Sequence, residues 1–179
     1  MSTTEAQPPV RPGTEVPASV LRHMEAEHRG DLEATLAEFA DDCYYLVPGL
    51  GLHLRGRREI RDWYEELFAA IPDFGSSDER YWTCVDGAAQ FVLYSARMEG
   101  THLGVWDGWH PTGKRFSTPV LVRIPIAADG RMLAEEVYFD SADLFTQLGL
   151  LPQRGSRAES LTQLAHRGLM FITRRRRRP

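Results

Sequence analysis

Between Arg57 and Phe139 the spacing of apolar side chains changes once, and that change constrains the fold more than composition does. Ile60, Trp63, Tyr64, Leu67, Phe68 and Ile71 follow the i, i+3, i+4, i+7, i+8, i+11 spacing of a helix with one buried face. Pro72 ends that run, because proline lacks the N–H a further turn needs. Beyond it the period is two. Val120, Val122, Ile124 and Ile126 alternate cleanly, and the pattern predicts strands over 79–86, 89–99, 101–107, 115–126 and 131–139. Asp86-Gly87 and Asp129-Gly130 suit hairpin turns that need positive φ. Consecutive strands joined by short turns predict an antiparallel sheet. Helices followed by such a sheet predict an α+β fold rather than a parallel α/β one.

The remaining segments are read by their breakers. Residues 1–16 are rich in Pro, Thr and Glu and are expected to form a disordered arm. A helix is predicted from Ala18 to about His28, with Val20, Leu21 and Met24 as its apolar stripe and Gly30 as its stop. Asp31 can cap a second helix carrying Leu32, Leu36 and Phe39. Residues 43–47 read as a short strand, and Pro48-Gly49 with Gly51 as a loop or hairpin. A last helix is predicted over 157–172, followed by Arg174 to Arg178. The domain is therefore assigned to 17–152, with 153–179 as a C-terminal helix and Arg-rich tail.

Length and charge narrow the function. A chain of 179 residues holds one domain with a real core. The net charge is −4, and without the five consecutive arginines the rest sums to −9. An acidic body disfavours nucleic-acid binding by the domain, whereas the Arg-rich tail suits an acidic partner or an anionic membrane surface. Cys43 and Cys84 are the only cysteines and form no Cys-x-x-Cys, which suits two reduced thiols and a cytoplasmic protein. The N-terminus lacks the basic start and apolar run of a signal peptide, and no stretch approaches 18 apolar residues.

An ordered set of short motifs carries a family resemblance. Gly100, His102, Gly104 and Gly108 are followed by Pro111-Thr112-Gly113-Lys114-Arg115, then Asp129-Gly130, then Tyr138-Phe139-Asp140, then Gln147-Leu148-Gly149. Over roughly residues 18–152 the chain resembles the SnoaL-like polyketide cyclases of the nuclear transport factor 2-like superfamily, which also holds ketosteroid isomerase-like and scytalone dehydratase-like enzymes. The resemblance implies a cone-shaped α+β barrel, with helices packed on a curved antiparallel sheet around one pocket. It also implies a homodimer through the outer face of the sheet. In the aldol cyclases of that family the acid/base Asp lies three residues before the position of Asp140, and a His on the neighbouring strand assists it. Here those places hold Val137 and the stretch Val120-Leu121-Val122-Arg123, so the cyclase pair does not carry over.

Candidate site residues follow from strand parity. Leu133, Glu135, Val137 and Phe139 share one face of the last strand, and Ala134, Glu136, Tyr138 and Asp140 the other. If the first face lines the cone, Glu135 is a lone carboxylate among apolar groups, and desolvation suits such a group to general-base work near neutral pH. Otherwise it is a rim residue or pairs with an Arg. Asp140 is a second acid/base candidate or the N-cap of a helix over 141–148, and a bulge would exchange the two carboxylates. His102 is either a proton carrier or hydrogen-bond donor, or a structural histidine of the sheet. His53, Trp63, Tyr64 and Trp106 are candidate substrate contacts, with core or loop packing as the alternative.

No metal site is expected, because His23, Glu27 and His28 do not form His-Glu-x-x-His and lack a third ligand. No Gly-rich phosphate loop or Gly-x-Ser-x-Gly elbow is present, so no cofactor is expected. The expected partner is a small, apolar, carbonyl-bearing molecule. Its chemistry would be proton abstraction beside the carbonyl, as in cyclisation, isomerisation or dehydration. The alternative is a ligand-binding or scaffold module of the same fold without turnover.

Overall fold

The computed structural model describes residues 15–86 and 89–176, with side chains as far as Arg167 apart from that of Asp86. Among the described residues five helices and six strands run helices first and sheet after, as expected, with a strand at Leu52–Arg55 added and none over 101–107. Helix α1 (Ala18–His28) and α2 (Leu32–Ala37) precede β1 (Phe39–Val47) and β2 (Leu52–Arg55), with a single 3₁₀ turn at Pro48–Leu50 between the two strands. Helix α3 (Gly56–Ala70) then leads into β3 (Gly75–Asp86), β4 (Ala89–Thr101), β5 (Arg115–Ile126) and β6 (Met132–Phe139). Helices α4 (Ser141–Leu148) and α5 (Arg157–Arg176) close the chain. Among the described residues no helix is long and apolar enough to cross a membrane.

The six strands form one sheet in the order β2-β1-β6-β5-β4-β3. Neighbours are antiparallel except β1 and β6, which run parallel with Tyr45 beside Glu135. The sheet is therefore mixed where a purely antiparallel one was expected. The cause is connectivity: β1 is made before α3, and β6 returns last to pair with it, so no hairpin joins the two. Phe39, expected on the second helix, instead begins β1.

Helix α3 packs its predicted stripe across the concave face of the sheet. Ile60, Tyr64, Leu67 and Ala70 are buried on it, and burying such aliphatic side chains is worth about 1.5–3 kcal/mol each. The stretch 101–107 is not a strand. His102 closes the β4–β5 connection, donating its N–H to Lys114 O and accepting from Gly113 N, at 3.0 and 2.9 Å. Leu103 N and Gly104 N donate to Ala70 O, at 2.8 and 2.9 Å, and so satisfy a carbonyl that the end of α3 leaves free. Gly104 permits this approach, because a Cβ there would lie 2.7 Å from Ala69 O.

The Gln147-Leu148-Gly149 motif clamps α4 to the start of β5. Gln147 Oε1 accepts from Ser117 N at 2.9 Å while its amide donates to Asp143 at 2.7 Å. Leu148 is fully buried, and Gly149 ends α4 in the left-handed conformation at φ 76. The sequence expectations for residues 1–14, for Gly87 in its turn, and for the side chains of the Arg-rich tail lie outside the described residues.

Candidate active site

The concave face of the sheet and the inner faces of α1 and α3 enclose a two-lobed chamber. One lobe, about 50 Å³, is lined by residues that include Glu27, Tyr45, Tyr94, Val122, Glu135 and Val137. The other, about 30 Å³, is lined by residues that include Tyr45, Trp63, Trp106, Phe116, Val137 and Phe139. Tyr45, Phe74, Met98 and Val137 belong to both linings, so the lobes adjoin. Both are narrow, larger than one water each. Met24 and Met98 stand on their walls, and unbranched methionine chains repack readily around a guest.

Glu135 is the polar centre of the first lobe. It is 2% exposed and lies on the β6 face that alternation assigned to it, together with Val137 and Phe139. It is not a lone carboxylate. Tyr64 Oη donates to Glu135 Oε2 at 2.8 Å. His23 Nε2 lies 3.4 Å from Glu135 Oε1 and 3.5 Å from Tyr64 Oη. His23 Nδ1 lies 3.0 Å from Thr35 O, and a carbonyl only accepts, so Nδ1 carries a hydrogen. Burial alone would lower the His23 pKa, but the adjacent Glu135, with Glu27 and the Thr35 carbonyl, overcomes that and raises it to about 9. At neutral pH His23 is therefore an imidazolium paired with the Glu135 carboxylate.

Glu27 supplies a second carboxyl to the same lobe. Burial and the negative charge of Glu135 push its pKa up to about 7, against the opposing pull of His23. Near neutrality the Glu27 carboxyl is thus divided between its acid and its anion. Burial raises the pKa values of Tyr45 and Tyr64 well above the usual phenol range, and both carboxyls push the same way. Both tyrosines remain protonated, and each hydroxyl can donate one hydrogen bond and accept others.

His23 and Glu27 were considered in the sequence only as poor metal ligands. Their signal was present: Val20, His23, Met24 and Glu27 are spaced i, i+3, i+4, i+7, one face of a helix. Val20 and Met24 are core, so the two polar residues between and after them also face inward. Across the mouth, His28 Nε2 meets Ser76 Oγ at 2.5 Å and Glu79 at 3.2 Å, and Ser76 Oγ lies 2.7 Å from Tyr94 Oη.

The second lobe has a different character. Its lining carries no Arg, Lys, His, Asp or Glu. Trp63 and Trp106 stack obliquely, with ring centroids 6.0 Å apart. Both indole nitrogens are buried and meet no acceptor among the described residues. The Trp63 N–H lies toward the Tyr45 hydroxyl, on which it exerts a small opposing effect, but forms no hydrogen bond of proper geometry there. An unpaired buried donor costs about 1–3 kcal/mol.

The other candidates lie apart from the chamber. Asp140 is exposed, and its carboxylate accepts from Asp143 N at 3.0 Å as the N-cap of α4. Parity explains this, since Asp140 stands on the β6 face opposite Glu135. His53 is exposed on β2, edge-on to Tyr44, in an open groove with Asp42, Arg55 and Gly56 on the outer side of the sheet. This differs from the expected place beside the pocket, because the β1–β2 hairpin turns His53 away. His102 is fully buried behind Trp106, with Nδ1 3.3 Å from Thr112 Oγ1. Desolvation lowers its pKa, and it lines neither lobe. The structure thus brings together Glu135, Trp63, Tyr64 and Trp106 from the sequence candidates, adds His23, Glu27 and Tyr45, and sets Asp140, His53 and His102 apart.

Comparison with known proteins fits this architecture. A polyketide cyclase candidate of Xanthomonas campestris pv. campestris superposes with a TM-score of 0.64 at 20% identity, over 73% of this chain and 93% of its own. AclR, a candidate hydroxylase of Streptomyces galilaeus, gives 0.64 at 18% identity over 90% and 96% of the two chains. A Catenulispora acidiphila protein with a ketosteroid isomerase-like fold, solved with trimethylamine, gives 0.62 at 18% identity over 75% and 95%. At such identities the likeness establishes the fold. No curated protein matches the sequence. The profile of the SnoaL-like polyketide cyclases matches residues 18–148, and the chain belongs to that family.

Proposed function

We propose that the protein binds a small, apolar carbonyl compound in the two-lobed chamber and removes a proton from the carbon beside its carbonyl. The observation that carries this reading is Glu135, a buried carboxylate on the chamber wall, oriented by Tyr64 on one oxygen and faced by His23 on the other. Glu135 takes the proton and becomes neutral, while the negative charge moves to the substrate oxygen as an enolate. The net charge of the chamber is unchanged, which suits a site closed to water. The neighbouring Glu27 acid, with a pKa near 7, returns a proton to a second position. The step requires acid and base alone, so no cofactor enters it. Isomerisation, dehydration or ring closure by carbon–carbon bond formation all begin this way.

The family's Asp and its assisting His are replaced here by Val137 and the β5 stretch Val120-Leu121-Val122-Arg123, so the chemistry rests on Glu135, two residues earlier on the same face. The test is hydrogen–deuterium exchange at the α-carbon of a panel of enolisable ketones, followed by NMR. The reading expects exchange that Glu135→Gln abolishes and Asp140→Asn leaves intact. Absence of exchange across the panel, with ligand still bound, would move the protein to the non-catalytic binding modules.

The same reading includes a homodimer through the outer sheet face. Trp82, Leu121 and Tyr138 stand out there, each 44% exposed, and Leu121 and Tyr138 are direct cross-strand neighbours. Sedimentation should give a dimer that Leu121→Glu dissociates; a monomeric wild type would refute this.

A further inference from the structure

We infer that the indole N–H groups of Trp63 and Trp106 form an oxygen-binding subsite that holds the carbonyl oxygen of the ligand. Trp106 is 4% exposed and its nitrogen is buried, and the Trp63 nitrogen is buried as well, yet neither meets an acceptor among the described residues. Indole nitrogen is a donor only, so these two buried groups have no acceptor among the described residues and can serve one that a ligand brings. Both rings line one lobe, with centroids 6.0 Å apart, so both indoles border the same small space. Around them the lining is apolar and aromatic.

The chemistry of the lobe selects the acceptor. No cation lines it, and Glu135 stands in the adjoining lobe, so a ligand carboxylate or phosphate would enter uncompensated. A neutral carbonyl oxygen accepts two hydrogen bonds without that penalty. Tyr45 and Val137, shared by both lobes, set the oxygen end of such a ligand beside the carboxylate end of the chamber. A ligand seated this way places its α-carbon toward Glu135 and its oxygen on the two indoles. These donors then meet the oxygen on which charge accumulates, a role for which His102, lining neither lobe, is not placed. This inference rests on the proposed proton abstraction for its orientation but not for its detection.

Acetophenone and α-methylstyrene test it as a pair, since they differ chiefly by C=O against C=CH₂. In ¹⁵N-indole NMR of the full chain, acetophenone should move the Trp63 and Trp106 N–H protons downfield, while α-methylstyrene should not. Acetophenone should bind at least tenfold tighter than α-methylstyrene, and Trp106→Phe should remove most of that difference while leaving α-methylstyrene affinity within about threefold. Should the phenylalanine variant fail to fold, the wild-type indole shifts still decide. Equal affinities with unmoved indole protons, or no binding of either compound, would overturn the subsite. Deuterium exchange at the acetophenone methyl, read in the same samples, separates the two claims. Indole shifts without exchange keep the subsite and refute the catalytic reading, and exchange without indole shifts does the reverse.

Discussion

At one end of the chamber the polar groups satisfy one another; at the other they do not. His23, Glu135 and Tyr64 form a closed set, with Thr35 holding the far side of the imidazole. Trp63 and Trp106 bury donors that the chain leaves without an acceptor. The first arrangement sets protonation states before any ligand arrives. The second leaves hydrogen-bonding capacity for something else to use. A buried polar group is thus informative in two ways: through the partners it has, and through those it lacks.

The largest expected effect breaks the acid end. Glu135→Gln should lower α-proton exchange by about 10²–10⁴-fold, the usual weight of a positioned base, measured as deuterium incorporation. The same substitution removes the counter-ion that holds the His23 pKa near 9, so the imidazole should titrate well below that in the variant. Next comes Tyr64→Phe. It removes a donor to a buried carboxylate and should cost about 1.5–3 kcal/mol in denaturant unfolding.

The acid end also gives a pH signature. The folded-state pKa values of Glu27 and His23, about 7 and about 9, lie above their ordinary values of 4.5 and 6.5. A group raised in this way contributes stability that is fully present below its ordinary value and is lost as pH rises through the folded value. Unfolding free energy should therefore fall from pH 4.5 to 7 through Glu27 and from pH 6.5 to 9 through His23. Glu27→Gln should flatten the first limb and keep the second, as read from thermal unfolding across that range. A wild-type profile that rises between pH 5 and 8 would contradict the assignment.

Much of this was legible in the sequence, for reasons that differ by residue. The α3 stripe and the β5 alternation are strong local periods, and each gave its element. Strand parity placed Glu135 on the inner face because β6 keeps regular register with β1 from Ala134 to Glu136 and with β5 from Glu136 to Phe139, while the shift against β5 lies before Glu136. His23 and Glu27 escaped notice because a polar residue on an apolar stripe was weighed for metal binding rather than for facing inward. The segment 101–107 alternated like a strand, yet its N–H groups go to the end of α3. That use depends on Gly104 meeting α3, a contact between distant parts of the chain. The direction of His53 depends on the hairpin in the same way, while Asp140 takes the helix-capping role that was one of its two readings.

Two smaller effects sharpen the contrast between scaffold and site. Gly104→Ala forces a methyl against the Ala69 carbonyl and should cost about 1–3 kcal/mol, seen as a lower unfolding midpoint. Asp140→Ala loses the α4 cap and should cost about 1 kcal/mol while leaving exchange unchanged. Lost exchange in a folded Asp140→Ala protein would restore that residue to the chemistry.

The most direct test of the account is the rate of deuterium uptake at the acetophenone methyl, compared between wild type and Glu135→Gln at pH 7. The account predicts protein-catalysed uptake that falls at least a hundredfold in the variant while the variant still binds the ketone. Equal rates in the two proteins would contradict it.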